Sequence, residues 1–225
     1  MNGVALKGAA YALFHVPDLV RYGSKPLREI KANPSQGDAI ASHLRSFEAA
    51  VAYAPNQVFV GNLAPQVLWD IERPWWRNPL EMASAEGPFG RIFDQSALYH
   101  RLAEADVFGL VRLGGEPHEH SVPLYAGGRL AGALDRGHEE DDSLTAQLLL
   151  ENLACKATAA EPVRHLLRDF DPHDVDYVLN TGEEAIGDRY QRGGGSLSKA
   201  VAELTGCVNA TGCDVKAFCC APAHA

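Results

Sequence analysis

The residues best suited to chemistry lie at the end of the chain, in Asp214-Val-Lys-Ala-Phe-Cys219-Cys220-Ala-Pro-Ala-His224-Ala225. The pattern reads as a strand that delivers a cysteine to a turn, with a helix due to begin just beyond it. A thiol held at such a turn faces the positive end of the helix dipole and its unpaired N–H groups, and both favour thiolate. A thiolate attacks carbon centres well and leaves well again, so the chemistry on offer is acyl transfer through a thioester. The competing reading is structural, because free cysteines often serve as small buried hydrophobes. A second feature is Gly193-Gly194-Gly195-Ser196 ahead of a helix. Amides at a helix start can hold a phosphate or carboxylate, and the alternative is a plain flexible turn. Lys199 lacks the glycine that would precede it in a Walker loop.

Metal binding fits the sequence poorly. Cys207, Cys213 and Cys219 lack a close Cys-x-x-Cys pair and fall on different elements. Glu116, His118, Glu119 and His120 sit in a Gly/Pro-rich stretch without helical spacing, so a solvated loop is expected and no metal site. Trp75 and Trp76 beside Pro74 read as packing or subunit contacts.

The elements that must position these groups can be read from periodicity. Strands are expected at Tyr11 to Val16, Gln57 to Val60 and Val107 to Arg112. One helix is expected over Asp38 to Ala52, with Ile40, Leu44, Phe47 and Val51 on a common face. Arg73 to Gly90 reads as irregular, and Gly114 to His138 as turns around short strands. From Asp142 the pattern becomes regular. Ser143 caps a helix running towards Thr158, and Pro162 opens a second helical piece, Val163 to Phe170. A short strand follows at Asp176 to Asn180. Ser196 then opens a helix with Leu197, Ala200, Val201 and Leu204 on one face and Gly206 at its end. The last strand spans Asp214 to Phe218. Two regions result: 1–141, an α+β region with Pro/Trp- and Gly/His-rich loops, and 142–225, an α/β segment. Helices alternating with strands over short connections imply a mainly parallel sheet covered by helices.

Composition sets limits. The 225 residues are 46% hydrophobic and 22% charged, ordinary for a globular protein. Twenty Lys and Arg against 29 Asp and Glu give a net charge of −9, with no basic run. Nucleic acid is therefore excluded as the main partner, since phosphate neutralisation needs clustered Lys and Arg. Five cysteines form an odd set, and Gly8 to Val16 lacks the flanks and cleavage site of a secretory signal. Reduced thiols in the cytoplasm are expected. Nothing approaches the ~18 apolar residues that span a bilayer.

Asp-Val-x-x-x-Cys followed by small residues resembles the nucleophile region of thiolase-fold acyl-transfer enzymes such as the ketoacyl synthases. Five further stretches narrow the likeness: His43-Leu-Arg-Ser-Phe-Glu48, Ala50-Val-Ala-Tyr-Ala-Pro-Asn-Gln57, Arg73-Pro-Trp75-Trp76, Gln191-Arg-Gly193-Gly194-Gly195 and Gly206-Cys-Val-Asn-Ala-Thr-Gly212. Together they resemble the beta subunit of component C of the glycine/sarcosine/betaine reductase complex, over the amino-terminal part of that family's length. The resemblance implies the amino-terminal half of a thiolase-like layered fold. It places Cys219, rather than Cys220, at the nucleophile position and the family's essential histidine beyond Ala225, which leaves His224 no general-base role. The chain stops about one turn into the expected helix.

The resemblance further implies a reaction. A carboxymethyl group on the selenocysteine of selenoprotein A becomes an acetyl thioester on an enzyme cysteine, and inorganic phosphate releases it as acetyl phosphate. Phosphate is a substrate here and no cofactor is implied. This makes the Gly193 to Ser196 stretch a candidate phosphate-binding element. Expected partners are the component C alpha subunit, selenoprotein A and a chain supplying the remaining carboxyl-terminal half. Without that half, the chain alone is expected to be inactive. Two other readings stay open: a non-catalytic or split-gene subunit, and a ketoacyl-synthase-like enzyme of lipid metabolism, which the Arg73 to Trp76 and Gln191 to Gly195 motifs oppose.

Overall fold

The computed structural model describes residues 4–22, 24–135, 143–182 and 196–225. They group into two units, Met1–Ala97 with Tyr125–Arg129, and Leu98–Leu124 with Leu130–Ala225. Among the described residues the strands form three small sheets, so the mixed α/β class stands. The single mainly parallel sheet is corrected, because one of the three is built on antiparallel pairing.

In the first unit, β1 (Tyr11–Phe14) pairs in parallel with β3 (Gly90–Phe93), and β2 (Glu86–Gly87) pairs antiparallel with β3 on its other edge. Helices α1 (Pro17–Tyr22), α2 (Ser24–Ala32), α3 (Ser35–His43), α4 (Phe47–Val51) and α5 (Ala54–Val60) separate the strands. Phe14 stacks on Phe93 across the sheet, with ring centroids 4.8 Å apart. Two expectations fail here. The helix over Asp38 to Ala52 is broken, because Leu44 is extended at ψ 140° and Ser46 caps a new helix by accepting the Ala49 N–H. A serine that can bond a nearby backbone amide competes with helix continuation, and here it wins.

Gln57 to Val60 is helix rather than strand. Pro55 fits the first turn and Gly61 ends the helix at φ 86°. The buried Gln57 fixes the choice. Its Nε2 donates to Val51 O at 2.5 Å, and its Oε1 accepts from Asn62 Nδ2 at 2.8 Å and Ser84 N–H at 3.1 Å. Neighbouring Asn56 donates to Ala50 O at 2.7 Å. The Ala50 to Gln57 motif is thus a self-fastened corner.

Helix α6 (Gln95–Ala105), which belongs to the second unit from Leu98 on, brings Leu98, Tyr99 and Leu102 into the core. The next sheet has the order β4 (Val111–Leu113), β6 (Arg129–Asp135), β5 (Ser121–Ala126). Gly127 and Gly128 turn β5 into β6 with φ of 58° and 72°, which a two-residue type I′ turn requires and glycine supplies without strain. The expected strand over Val107 to Arg112 shrinks to β4. Asp106 is the reason: its carboxylate accepts the N–H groups of Phe108 and Val111, curling the chain and leaving Val107 and Phe108 exposed.

Helix α7 runs unbroken over Ser143–Leu166, so the expected break at Pro162 does not occur. Proline removes one backbone bond, but Ala157, Ala160 and Glu161 around it are buried and hold the helix in place. Glu161 bonds Arg101 Nε at 2.8 Å and also pairs with Arg164, while Arg164 pairs with Glu104. These four charges tie α6 to α7.

The last sheet carries the candidate site. Strand β7 (Tyr177–Gly182) pairs in parallel with β8 (Thr211–Lys216), from Tyr177 opposite Thr211 to Gly182 opposite Lys216. Helix α8 (Leu197–Leu204) lies against both strands. Gly212 permits this approach, since a Cβ there would sit 2.2 Å from Val178 O and 3.0 Å from Ser198 Oγ. The core beneath is Ala202, Cys207 and Ala210, with Leu167, Val175 and Val178 packed on it. Among the described residues no helix is long and apolar enough to cross a membrane.

Candidate active site

Beyond β8 the chain makes a 3₁₀ turn over Phe218–Cys220 and enters α9 (Ala221–His224). The expected strand–turn–helix around Cys219 is therefore present, with the strand displaced towards Thr211. Cys219 and Cys220 are both exposed, so either thiol can meet a reactant from solvent. The turn offers few donors to an oxyanion. Of the three amide positions that follow Cys219, the Cys220 N–H is bonded to Ala217 O at 3.1 Å and Pro222 has none. A row of amides facing the thiol, expected from the sequence pattern, is not what this turn supplies.

The other cysteines are sorted by the sheet. Cys207 is fully buried beneath α8, where Thr205 Oγ1 reaches its sulfur at 3.5 Å, and it serves as core. Cys213 lies on the exposed face of β8. Its hydrogen bond with Tyr177 pushes the Tyr177 phenol above its ordinary range. Cys155 is half-buried within α7. Among the described residues no group of three or more His, Cys, Asp or Glu side chains could hold a metal ion. In the Glu116 to His120 loop, His118 Nε2 lies 3.0 Å from Asp135, its Nδ1 accepts the His120 N–H, and its ring is thus engaged inside the chain.

The Gly193 to Ser196 stretch is only partly within view, because Gly193, Gly194 and Gly195 lie outside the described residues. Ser196 is the cap of α8 and accepts the Lys199 N–H at 3.2 Å. Sequence reasoning missed Asp214. Its carboxylate accepts the N–H groups of Leu197 at 2.8 Å and Ser198 at 3.0 Å. The first amides of α8 are thus satisfied by a negative charge from the chain itself, where a helix dipole favours one. Any phosphate at this end of α8 would meet the Asp214 carboxylate as a like charge. The signal was legible in principle: an aspartate inside a short strand needs donors, and a Ser-rich helix start offers them.

Asp214 also fixes the strand that leads to Cys219. Asp214→Ala should therefore destabilise the fold by about 1–3 kcal/mol, the range for losing helix-capping hydrogen bonds that are partly buried. Asp214→Asn, which keeps one acceptor, should lose less. Urea titrations followed by circular dichroism read both, and an unshifted midpoint for Asp214→Ala would show that the contact carries no stability.

An exposed cysteine at the carboxyl end of a parallel strand pair, on a mixed α/β chain, defines a class: an α/β protein with a candidate thiol nucleophile. No protein-family model matches the chain, and no solved structure matches it. A curated relative does. The chain is 37% identical, over an alignment of 267 residues that takes in 100% of its length, to the glycine/sarcosine/betaine reductase complex component C subunit beta of Peptoclostridium acidaminophilum. It spans 52% of that subunit, about half. The resemblance carried by the motifs is thus shown along the whole chain, and it fits the amino-terminal part of the relative.

Proposed function

We propose that this chain is a cytoplasmic subunit of component C of a glycine, sarcosine or betaine reductase complex, with Cys219 as the residue that carries the acyl group. The observation that supports it best is the whole-length similarity to the beta subunit of that component. The exposed position of Cys219 after β8 agrees with it. In this reading the Se–C bond of the carboxymethyl group borne by selenoprotein A breaks, and the selenium and a second thiol supply the two electrons by closing a selenenyl sulfide. The carboxylate loses one oxygen as water, and the two-carbon unit arrives on Cys219 as an acetyl thioester. An oxygen of inorganic phosphate then attacks the acetyl carbonyl, the C–S bond breaks, and the Cys219 thiolate departs with the electron pair, leaving acetyl phosphate. The alpha subunit of component C and a chain segment equivalent to the relative's remaining half complete the assembly. Their place in a thiolase-like layered fold would be against β7 and β8, where Tyr177 and Leu179 are exposed.

The reading is tested by trapping the intermediate. The complete complex is supplied with carboxymethylated selenoprotein A, phosphate is withheld, and peptides are mapped by mass spectrometry. One acetyl group is expected on the Cys219 peptide, removable by phosphate or hydroxylamine. Acetylation confined to Cys220, to Cys213 or to another subunit would remove Cys219 from the role.

A further inference from the structure

The first unit contains a cavity of about 520 Å³ that the proposed acyl chemistry does not use. It lies among β1, β3, α1 and the break between α3 and α4. Its lining mixes two chemistries. Phe14, Val20 and Ile92 are apolar, while His15, His43 and Arg45 bring three groups that are or can become cationic. Among the described residues none of the lining groups is a carboxylate. Glu48 interacts electrostatically with His15, and its own carboxyl is held low by a backbone N–H and by Ser46. Asp18 on α1 is engaged elsewhere, accepting the Gly128 N–H at 3.2 Å.

Arg45 is the centre of this arrangement. Its guanidinium stacks over the Tyr53 ring, 4.8 Å from the centroid, and among the described residues it has no ion-pair partner. Stacking fixes the plane of the guanidinium and leaves its edge, with its forked N–H donors, available for a planar or tetrahedral oxyanion. The cause is local: Leu44 is extended and Ser46 caps α4, so Arg45 sits in the break between two helices rather than within one. A cavity of this size falls in the range of small-molecule sites, which pair an apolar wall with a few convergent polar groups.

We propose that this cavity binds a small amphipathic anion, with its carboxylate or phosphate on Arg45, His15 and His43 and its hydrocarbon part against Phe14, Val20 and Ile92. The two head groups share the oxyanion that a guanidinium recognises, and the probes separate them. Octanoate and octyl phosphate are titrated into the full chain by calorimetry, with octanol lacking the charge and acetate lacking the tail. At least one of the two octyl anions should bind saturably with Kd of about 1 mM or tighter, and octanol and acetate should bind about tenfold more weakly or worse. Arg45→Gln should weaken the preferred anion by about tenfold or more. Val20→Trp, which adds bulk to the apolar lining from an exposed helix position, should weaken both anions similarly, and Arg168→Gln, which is not among the lining residues, should leave them unchanged. Should Arg45→Gln fail to fold by circular dichroism, His43→Gln carries the same test. Saturable binding absent for both octyl anions, octanol binding as well as they do, or affinity indifferent to both the head-group variant and Val20→Trp would overturn the proposal.

Discussion

Cys219→Ser is expected to lower acetyl phosphate formation by the complete complex by at least about 10³-fold, the scale seen when a covalent nucleophile is removed. Serine keeps the size and exposure of the side chain but has an alkoxide that forms far less readily than a thiolate and leaves far less readily from an acyl carbon. Cys220→Ser, one residue on in the same turn, should leave turnover near that of the unaltered complex. The comparison is informative because both thiols are exposed and separated by a single peptide unit. A loss confined to Cys220→Ser would move the nucleophile by one position. Full activity of both variants would place the acyl group on another thiol, Cys213 of this chain or one on a different subunit.

The second large effect concerns stability. Glu161→Ala should cost about 3–5 kcal/mol, the range for removing one partner from a buried ion pair. The Glu161 side chain is only 6% exposed and contacts both Arg101 and Arg164. Its loss leaves two guanidinium groups facing each other across α6 and α7 with Glu104 as their remaining carboxylate. Arg101 and Arg164 keep 36% and 25% of their side-chain exposure, so water recovers part of the loss and the lower end of the range is expected. Arg164→Ala together with Glu161→Ala should cost less than the two changes added separately, because each removes the same contact. Urea melts of the four proteins give the coupling directly. A Glu161→Ala shift under about 1 kcal/mol would show that the network behaves as an exposed surface pair.

How much of this could be read in advance depends on the range of the deciding interaction. Leu197 to Leu204 was legible as a helix because its cap, its apolar face and its terminating Gly206 are all local. The parallel pairing of the strands on either side followed from their alternation with that helix. The turn bearing Cys219 was legible for the same reason, and so was the relationship to the reductase subunit, which motifs distributed along the chain carry.

The misreadings have a different origin. Gln57 to Val60 contains β-branched and aromatic residues that suit a strand, yet the Gln57 side chain bonds to Val51, Asn62 and Ser84 and commits the segment to helix. Pro162 reads locally as a helix start, yet α7 is continuous, with Ala157, Ala160 and Glu161 buried around it and Glu161 paired to two arginines, one of them 60 residues away on α6. Asp214 signals only a need for donors, and which donors answer it, the amides of α8 16 and 17 residues earlier in the chain, is settled in space. The sequence by itself determined the elements whose signals lie within a turn or two, the place of the turn that carries Cys219, and the family resemblance. Tertiary structure decided which polar side chains are satisfied and by whom, because a buried donor or acceptor must find its partner in space, and neighbours in space are not neighbours along the chain.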